Sequence, residues 1–115
     1  MAITAGNFVY SGGGPAKTGQ ILGIPGLAGS GARALDGSCT VTGDAASSVF
    51  DCNFVDGTEV LPFTPVAVIC QRTGGAATNT IAVLATESIT TTKFTVRTSA
   101  NVNAATFIIG CRILK

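Results

Sequence analysis

The stretch Thr86-Glu-Ser-Ile-Thr-Thr-Thr-Lys-Phe-Thr-Val-Arg-Thr-Ser99 carries the clearest structural pattern in the sequence. Successive side chains of an extended chain point to opposite faces, so Phe94 and Val96 share one face while Lys93 and Arg97 lie on the other. β-branched and aromatic residues at a period of two, with charge on one face only, are typical of a half-buried antiparallel strand. The apolar face needs a second layer to cover it. The stretch therefore predicts an antiparallel β-sandwich.

Short β-type segments separated by turn signals recur from residue 38 to the end of the chain, and no segment has a convincing helical period. This spacing is typical of all-β folds. The segment Val66–Arg72 is apolar on both faces at its start, which predicts a central strand. We expect about six strands in a jelly-roll-like sandwich domain over residues 38–115. The predicted strands are Ser38–Thr42, Ser48–Val55, Val66–Arg72, Asn79–Thr86, the opening stretch and Ala105–Leu114.

Residues 1–37 differ from the rest because they are rich in glycine. Glycine at this density costs too much chain entropy for regular core structure, and Pro15 and Pro25 interrupt any strand ladder. One interpretation is a flexible leader. The other is an extended N-terminal arm that orders only on assembly, with its apolar side chains seated on a neighbouring subunit. The suspected assembly contacts are Phe8, Tyr10, Ile21, Leu22, Ile24 and Leu27.

The composition restricts the possible partners. Hydrophobic residues make up 46% of the 115 residues and charged residues only 11%, whereas soluble domains carry about a quarter charged residues. We therefore expect both an oligomer and a surface coated with Thr, Ser, Asn and Gly. The net charge is +1 without a basic run, which argues against nucleic-acid binding. No secretion signal or membrane-spanning run is evident, so we expect no membrane partner and assembly in the cytoplasm.

The four cysteines (Cys39, Cys52, Cys70 and Cys111) are the first candidates for chemistry. They contain no Cys-x-x-Cys pair, and the chain has no histidine to complete a zinc site. Each lies on the apolar face of its predicted strand, which favours free thiols packed as small hydrophobic residues. A disulfide formed after release into an oxidising medium and a metal site are the alternatives. Most carboxylates lie in or beside turns, where Asp is common for local hydrogen-bonding reasons. We predict no enzyme activity, no catalytic residues and no cofactor.

The second half of the chain resembles the H-type lectin module of phage tail-fibre tips and some invertebrate agglutinins. The resemblance rests on Leu61-Pro-Phe-Thr-Pro-Val-Ala-Val68, Ile89-Thr-Thr-Thr-Lys-Phe-Thr-Val96 and Phe107-Ile-Ile-Gly110. It implies a six-stranded antiparallel sandwich that assembles as a trimer. The last strand of that family normally carries a tryptophan and this chain has none, so no sugar-binding residue is transferred.

The organisation of the whole chain resembles the small capsid decoration, or cement, proteins of tailed bacteriophages. The resemblance implies a structural virion protein on the capsid surface, with itself (as a homotrimer) and the major capsid protein as partners, assembled in the host cytoplasm. The alternative prediction is a carbohydrate-binding, H-type-lectin-like tip of a phage tail fibre, which would have a glycan as its partner.

Overall fold

The computed structural model describes residues 2–10, 34–55, 60–61 and 63–115, and these residues form strands and connections without any helix. The strands are β1 (Gly6–Tyr10), β2 (Ala34–Thr42), β3 (Val49–Asn53), β4 (Ala67–Gly74), β5 (Val83–Glu87), β6 (Lys93–Thr98) and β7 (Thr106–Leu114). The predicted all-β class is confirmed. A helix that could cross a bilayer is not found in these residues.

The seven strands belong to one mixed sheet in the order β4-β7-β2-β1-β3-β6-β5. Every neighbouring pair is antiparallel except β1 and β3, which run parallel. The sheet is nearly closed into a barrel: its two outer strands approach each other where the Thr86 hydroxyl donates a hydrogen bond to the Val68 carbonyl. The sequence predicted two antiparallel layers. Because β1 joins both groups of strands, the structure has one continuous sheet rather than two clearly separate layers.

Strand β1 lies in the middle of this sheet. Phe8 and Tyr10 point into the core, whereas Val9 between them is 43% exposed. The Phe8 ring contacts the rings of Tyr10, Phe54 and Phe94 edge-on, with centroids 4.8, 6.4 and 6.4 Å apart. The Tyr10 hydroxyl donates to the Phe54 carbonyl at 3.0 Å. These contacts pack β1 against β6 and against the residue that follows β3.

The predicted boundary between arm and domain falls inside strand β2. Of residues 1–37, the ranges 6–10 and 34–37 belong to strands of the sheet. Residues 11–33 lie outside the described part of the chain. The sequence prediction assigned both segments to the arm because of their glycine-rich setting, although Asn7–Tyr10 has a short strand-like pattern. Gly6 and Gly37 lie within strands, where an added Cβ would lie 2.6 Å from Cys39 Sγ and 2.3 Å from Phe8 Cε1, respectively.

The sheet is sharply curved at β1, and a disulfide spans the curve. Cys39 on β2 and Cys52 on β3 are bonded, with their Cα atoms 6.3 Å apart. Two strand spacings in a flat sheet would separate them by about 9.6 Å. Gly6 lies beneath this disulfide, close enough that only a residue without a side chain fits there. The buried bond therefore joins the two groups of strands across β1.

The pattern in the opening stretch correctly predicted strand β6. Phe94, Val96 and Thr98 are buried while Lys93 and Arg97 are exposed. The prediction that Val66–Arg72 forms a central strand is wrong, since β4 lies at the edge of the sheet. The apolar residues on both faces of β4 therefore have a cause other than a central position in the sheet.

Candidate functional site

The outer surfaces of the two groups of strands differ in polarity. On β3, β6 and β5, Asp51 accepts hydrogen bonds from Thr95 Oγ1 at 2.8 Å and Lys93 Nζ at 3.1 Å. Arg97 Nη2 donates to Glu87 Oε1 at 2.8 Å. The Thr95 hydroxyl and the Lys93 ammonium hold the pKa of the Asp51 carboxyl below its usual range. These strands therefore carry two ion pairs on their outer surface, and β5 also carries Leu84, which is 65% exposed.

The outer surface of β4, β7, β2 and β1 has apolar and small residues in its centre. Ile69 on β4 is 60% exposed and Ile108 on β7 is half-buried. Strand register places Val9, Ser38, Gly110 and Gln71 in one row across the four strands. We call this surface the assembly face. It consists of Val9, Asp36, Ser38, Thr40, Ile69, Gln71, Ile108, Gly110 and Arg112.

The apolar side chains of β4 are explained by this surface. Val68 faces the core and is buried, whereas Ile69 faces outward on the assembly face. An edge strand with exposed apolar residues is a ready site for association. The sequence showed that both faces of Val66–Arg72 are apolar. It did not show that one of them faces outward.

A shallow cavity of about 380 Å³ lies at one end of the assembly face. Gly110 lies in its wall, and a Cβ there would lie 2.8 Å from Thr73 Cγ2. The wall consists of Asp36, Gly37, Ile69, Cys70, Gln71, Gly110, Cys111 and Arg112.

One ion pair borders this cavity. Arg112 Nε donates to Asp36 Oδ1 at 2.8 Å, and Arg112 Nη2 donates to Oδ2 at 3.2 Å. The guanidinium lowers the pKa of the Asp36 carboxyl, and the carboxylate raises the pKa of Arg112. Strand register places Asp36, Arg112 and Ile69 in one row, so the pair adds one charge of each sign directly beside Ile69.

The structure places the suspected assembly contacts in two groups. Phe8 and Tyr10 are 0% and 2% exposed and pack inside this chain's own core. Burial raises the pKa of the Tyr10 hydroxyl far above its usual range. The other four, Ile21, Leu22, Ile24 and Leu27, lie outside the described residues. The assembly face was missed by the sequence analysis. The alternation in Asn7–Tyr10, which puts Val9 opposite Phe8 and Tyr10, was the available signal.

The cysteines form two disulfides, Cys39–Cys52 and Cys70–Cys111. The preferred prediction of free thiols is therefore wrong, and the disulfide alternative is the one observed. Burial on an apolar face does not distinguish a thiol from a disulfide, because both pack as hydrophobic groups. Across the described ranges, no group of three His, Cys, Asp or Glu side chains could hold a metal ion.

Arg72 organises the loop that follows β4. Its guanidinium lies 5.0 Å from the centroid of the Phe107 ring. The same group donates to the carbonyl oxygens of Gly74 and Ile81, each at 3.3 Å, and also to those of Gly75, Ala77 and Thr78. Arg72 is thus engaged in holding one end of the barrel together.

Comparison with known proteins adds no family to this picture. The chain matches no protein-family model, no curated protein and no solved structure.

Proposed function

We propose that this chain is a structural virion protein, a capsid decoration subunit that assembles as a trimer and stabilises a phage head. The observation that carries the proposal is the contrast between the two outer surfaces. One carries two ion pairs, with a single exposed apolar residue, Leu84 on β5, whereas the assembly face carries exposed Val9 and Ile69 around small residues. Buried apolar surface contributes about 25 cal/mol per Å² to association before entropy costs.

The occupant of the assembly face in this proposal is a second copy of the chain. The face carries one acidic and one basic group, paired with each other as Asp36 and Arg112, so copies do not repel one another there. The disulfides fit the same proposal: a subunit made in the host cytoplasm would form them after release into an oxidising medium.

Solution mass tests self-association. We expect the full oxidised chain to have three times the 11.5 kDa mass of one chain by light scattering. Ile69→Asp would place a charge in the assembly face and should reduce the mass to that of a monomer. Leu84→Asp is the matched control, because Leu84 is 65% exposed on β5, outside the face. A monomeric wild-type chain, or an equal effect of both substitutions, would contradict the proposal.

Capsid binding tests the function itself. The purified chain is added to capsids of the phage whose genome encodes it, and occupancy is measured by cryo-electron microscopy. Removing residues 1–37 is unsuitable as a test of the arm because it deletes β1 and part of β2. Replacing residues 12–32 with a short Gly/Ser linker keeps both strands. Full occupancy by that variant would contradict the arm prediction, and no occupancy by the wild type would contradict capsid decoration.

The alternative function is binding of a carbohydrate by a tail-fibre tip. It is favoured by the cavity, where Asp36, Gln71 and Arg112 supply polar groups. It lacks an aromatic platform, since the described Phe and Tyr side chains are all buried or half-buried. Saturable binding on a glycan array that is lost in Gln71→Ala would favour this alternative.

A further inference from the structure

The two disulfides join different parts of the sheet. Cys39–Cys52 connects β2 to β3 across the intervening strand β1. Cys70–Cys111 connects directly opposed residues of the neighbouring strands β4 and β7, with Cα atoms 4.2 Å apart. One bond thus spans the central strand of the sheet, and the other attaches an edge strand to its neighbour.

The Cys39–Cys52 disulfide is sealed in the core. Cys39 is 1% exposed and Cys52 is 0% exposed. Gly6 lies beneath the bond, with its missing Cβ position 2.6 Å from Cys39 Sγ. A dissolved thiol has to approach a disulfide sulfur directly to react with it. It reaches this disulfide only after the barrel opens.

The Cys70–Cys111 disulfide lies in a more accessible place. Cys70 is only half-buried, whereas its partner Cys111 is buried, with 6% of its surface exposed. Strand β4 has a ladder partner on one side only, so its outer edge can open without disturbing the rest of the sheet. The Thr86 hydroxyl and the Arg72 guanidinium are the other attachments of β4 described above. Val68, buried in the core, and the contact of Arg72 with the Phe107 ring hold the strand as well, and all of these are non-covalent contacts that re-form after a local opening.

We propose that the Cys70–Cys111 disulfide is a redox-controlled latch on edge strand β4, whereas Cys39–Cys52 is a permanent structural bond. The co-reactant is a small thiol of the glutathione class. Its thiolate attacks one protein sulfur, the S–S bond breaks, and the electron pair leaves on the other sulfur as a thiolate. A second small thiolate attacks the small-thiol sulfur of the mixed disulfide, and the protein cysteine leaves as a thiolate. Two electrons pass to the protein, the small thiols leave as their disulfide, and both cysteine thiolates take up protons from water.

Opening the latch changes the surface that β4 carries. Ile69 and Gln71 are neighbours of Cys70 on the same strand and belong to the assembly face. The backbone ladder from Ala67 to Arg72 still pairs β4 with β7 after reduction. The reduced strand is therefore retained but opens more often. Control of assembly by the latch rests on the proposed function, while the latch itself does not.

The experiment measures the reduction of each disulfide in the native, full-length, oxidised chain. The chain is incubated with reduced glutathione, quenched with N-ethylmaleimide and digested with chymotrypsin. Cleavage after Phe50, Phe54 and Phe63 separates Cys39, Cys52 and Cys70 for mass spectrometry. We expect Cys70 and Cys111 to be labelled at least tenfold faster than Cys39 and Cys52. Equal rates, or faster labelling of Cys39 and Cys52, would overturn the proposal.

Two further measurements test whether the folded structure, and not the residues next to each cysteine, sets the two reduction rates. In concentrated guanidinium chloride the two rates should converge, and a persistent tenfold difference would mean that the fold does not set it. Hydrogen exchange should rise at least tenfold in residues 67–72 on reduction and stay unchanged in β3 and β6. Uniform exchange across all strands would indicate global unfolding and contradict a local latch. These measurements use the wild-type chain and do not require a trimer.

Discussion

Strands β1 and β4 have the same kind of sequence and opposite positions in the sheet. Each has apolar residues on both faces: Phe8 beside Val9 on β1, and Val68 beside Ile69 on β4. Strand β1 has a neighbouring strand on both sides, and its inner face (Phe8 and Tyr10) packs into the core. Strand β4 is paired on one side and is attached at its inner face by a disulfide. Apolar pattern alone therefore does not distinguish the centre of this sheet from its edge.

The largest effect should come from the centre of β1. Phe8→Ala removes a fully buried ring that contacts three other aromatic rings. We expect it to lower the free energy of unfolding by about 3–5 kcal/mol, measured by guanidinium denaturation of the oxidised chain. Val9→Ala is the control one residue away. Because Val9 is exposed, its change should stay within about 0.5 kcal/mol.

The same pair of variants decides how Phe8 acts. If Phe8 were an assembly contact, as the sequence predicted, Phe8→Ala would reduce the oligomer mass while leaving the unfolding of the monomer nearly unchanged. Val9→Ala should behave in that way instead, since Val9 lies on the assembly face.

Substituting alanine for one glycine at the centre of the sheet and for one at its edge should show how tightly each region is packed. At Gly6, a Cβ would lie 2.6 Å from Cys39 Sγ and 2.7 Å from the Thr40 carbonyl oxygen. Neither atom can move easily, because one is in a disulfide and the other in the backbone. Gly6→Ala should therefore cost about 1–3 kcal/mol of unfolding free energy, as overpacking of a core does.

The matched variant is Gly110→Ala at the β4 edge. Its Cβ would lie 2.8 Å from Thr73 Cγ2, with every other contact at 3.9 Å. Thr73 is an exposed edge residue whose side chain can rotate away. We expect thermal denaturation to show a clearly smaller loss than for Gly6→Ala. An equal loss would mean that the edge is packed as rigidly as the centre.

Much of the strand pattern was predictable, and the pairing between strands was not. The period-two alternation in Lys93–Thr98 correctly indicated a half-buried strand, because alternation is a local property of the chain. The parallel pairing of β1 with β3 depends on contacts between residues more than 40 positions apart, such as Gly6 with Cys52. No local pattern encodes it.

The site was less predictable for a related reason. The disulfide partners are brought together by sheet order: Cys39 and Cys52 face each other only because β1 carries a glycine between them. Exposure of Ile69 follows from the position of β4 at the sheet edge. Both features arise from the arrangement of whole strands, for which the sequence predicted an antiparallel sandwich and not one mixed sheet.

The smallest expected effect compares two carboxylates, one on β3 beside the centre and one on β2 at the assembly face. The folded-state pKa of Asp51 is lowered by the Thr95 hydroxyl and Lys93, and that of Asp36 by Arg112. A lowered folded-state pKa gives stability that is present above the unfolded-state pKa of about 3.9 and lost as pH falls through the lower folded-state value. The denaturation midpoint should therefore decrease as the pH is lowered from 6 to 2.5. Asp51→Asn or Asp36→Asn should each make this decrease smaller.

Salt should distinguish the two carboxylates. The Asp36–Arg112 pair is exposed on both sides, so screening at 0.5 M NaCl should remove most of the difference between wild type and Asp36→Asn. Asp51 is less exposed and accepts a hydrogen bond from the neutral Thr95 hydroxyl, which salt does not screen. Its contribution, below about 1 kcal/mol for a partly exposed pair, should largely persist in salt. Equal salt sensitivity of both variants would mean that Lys93, rather than Thr95, dominates at Asp51.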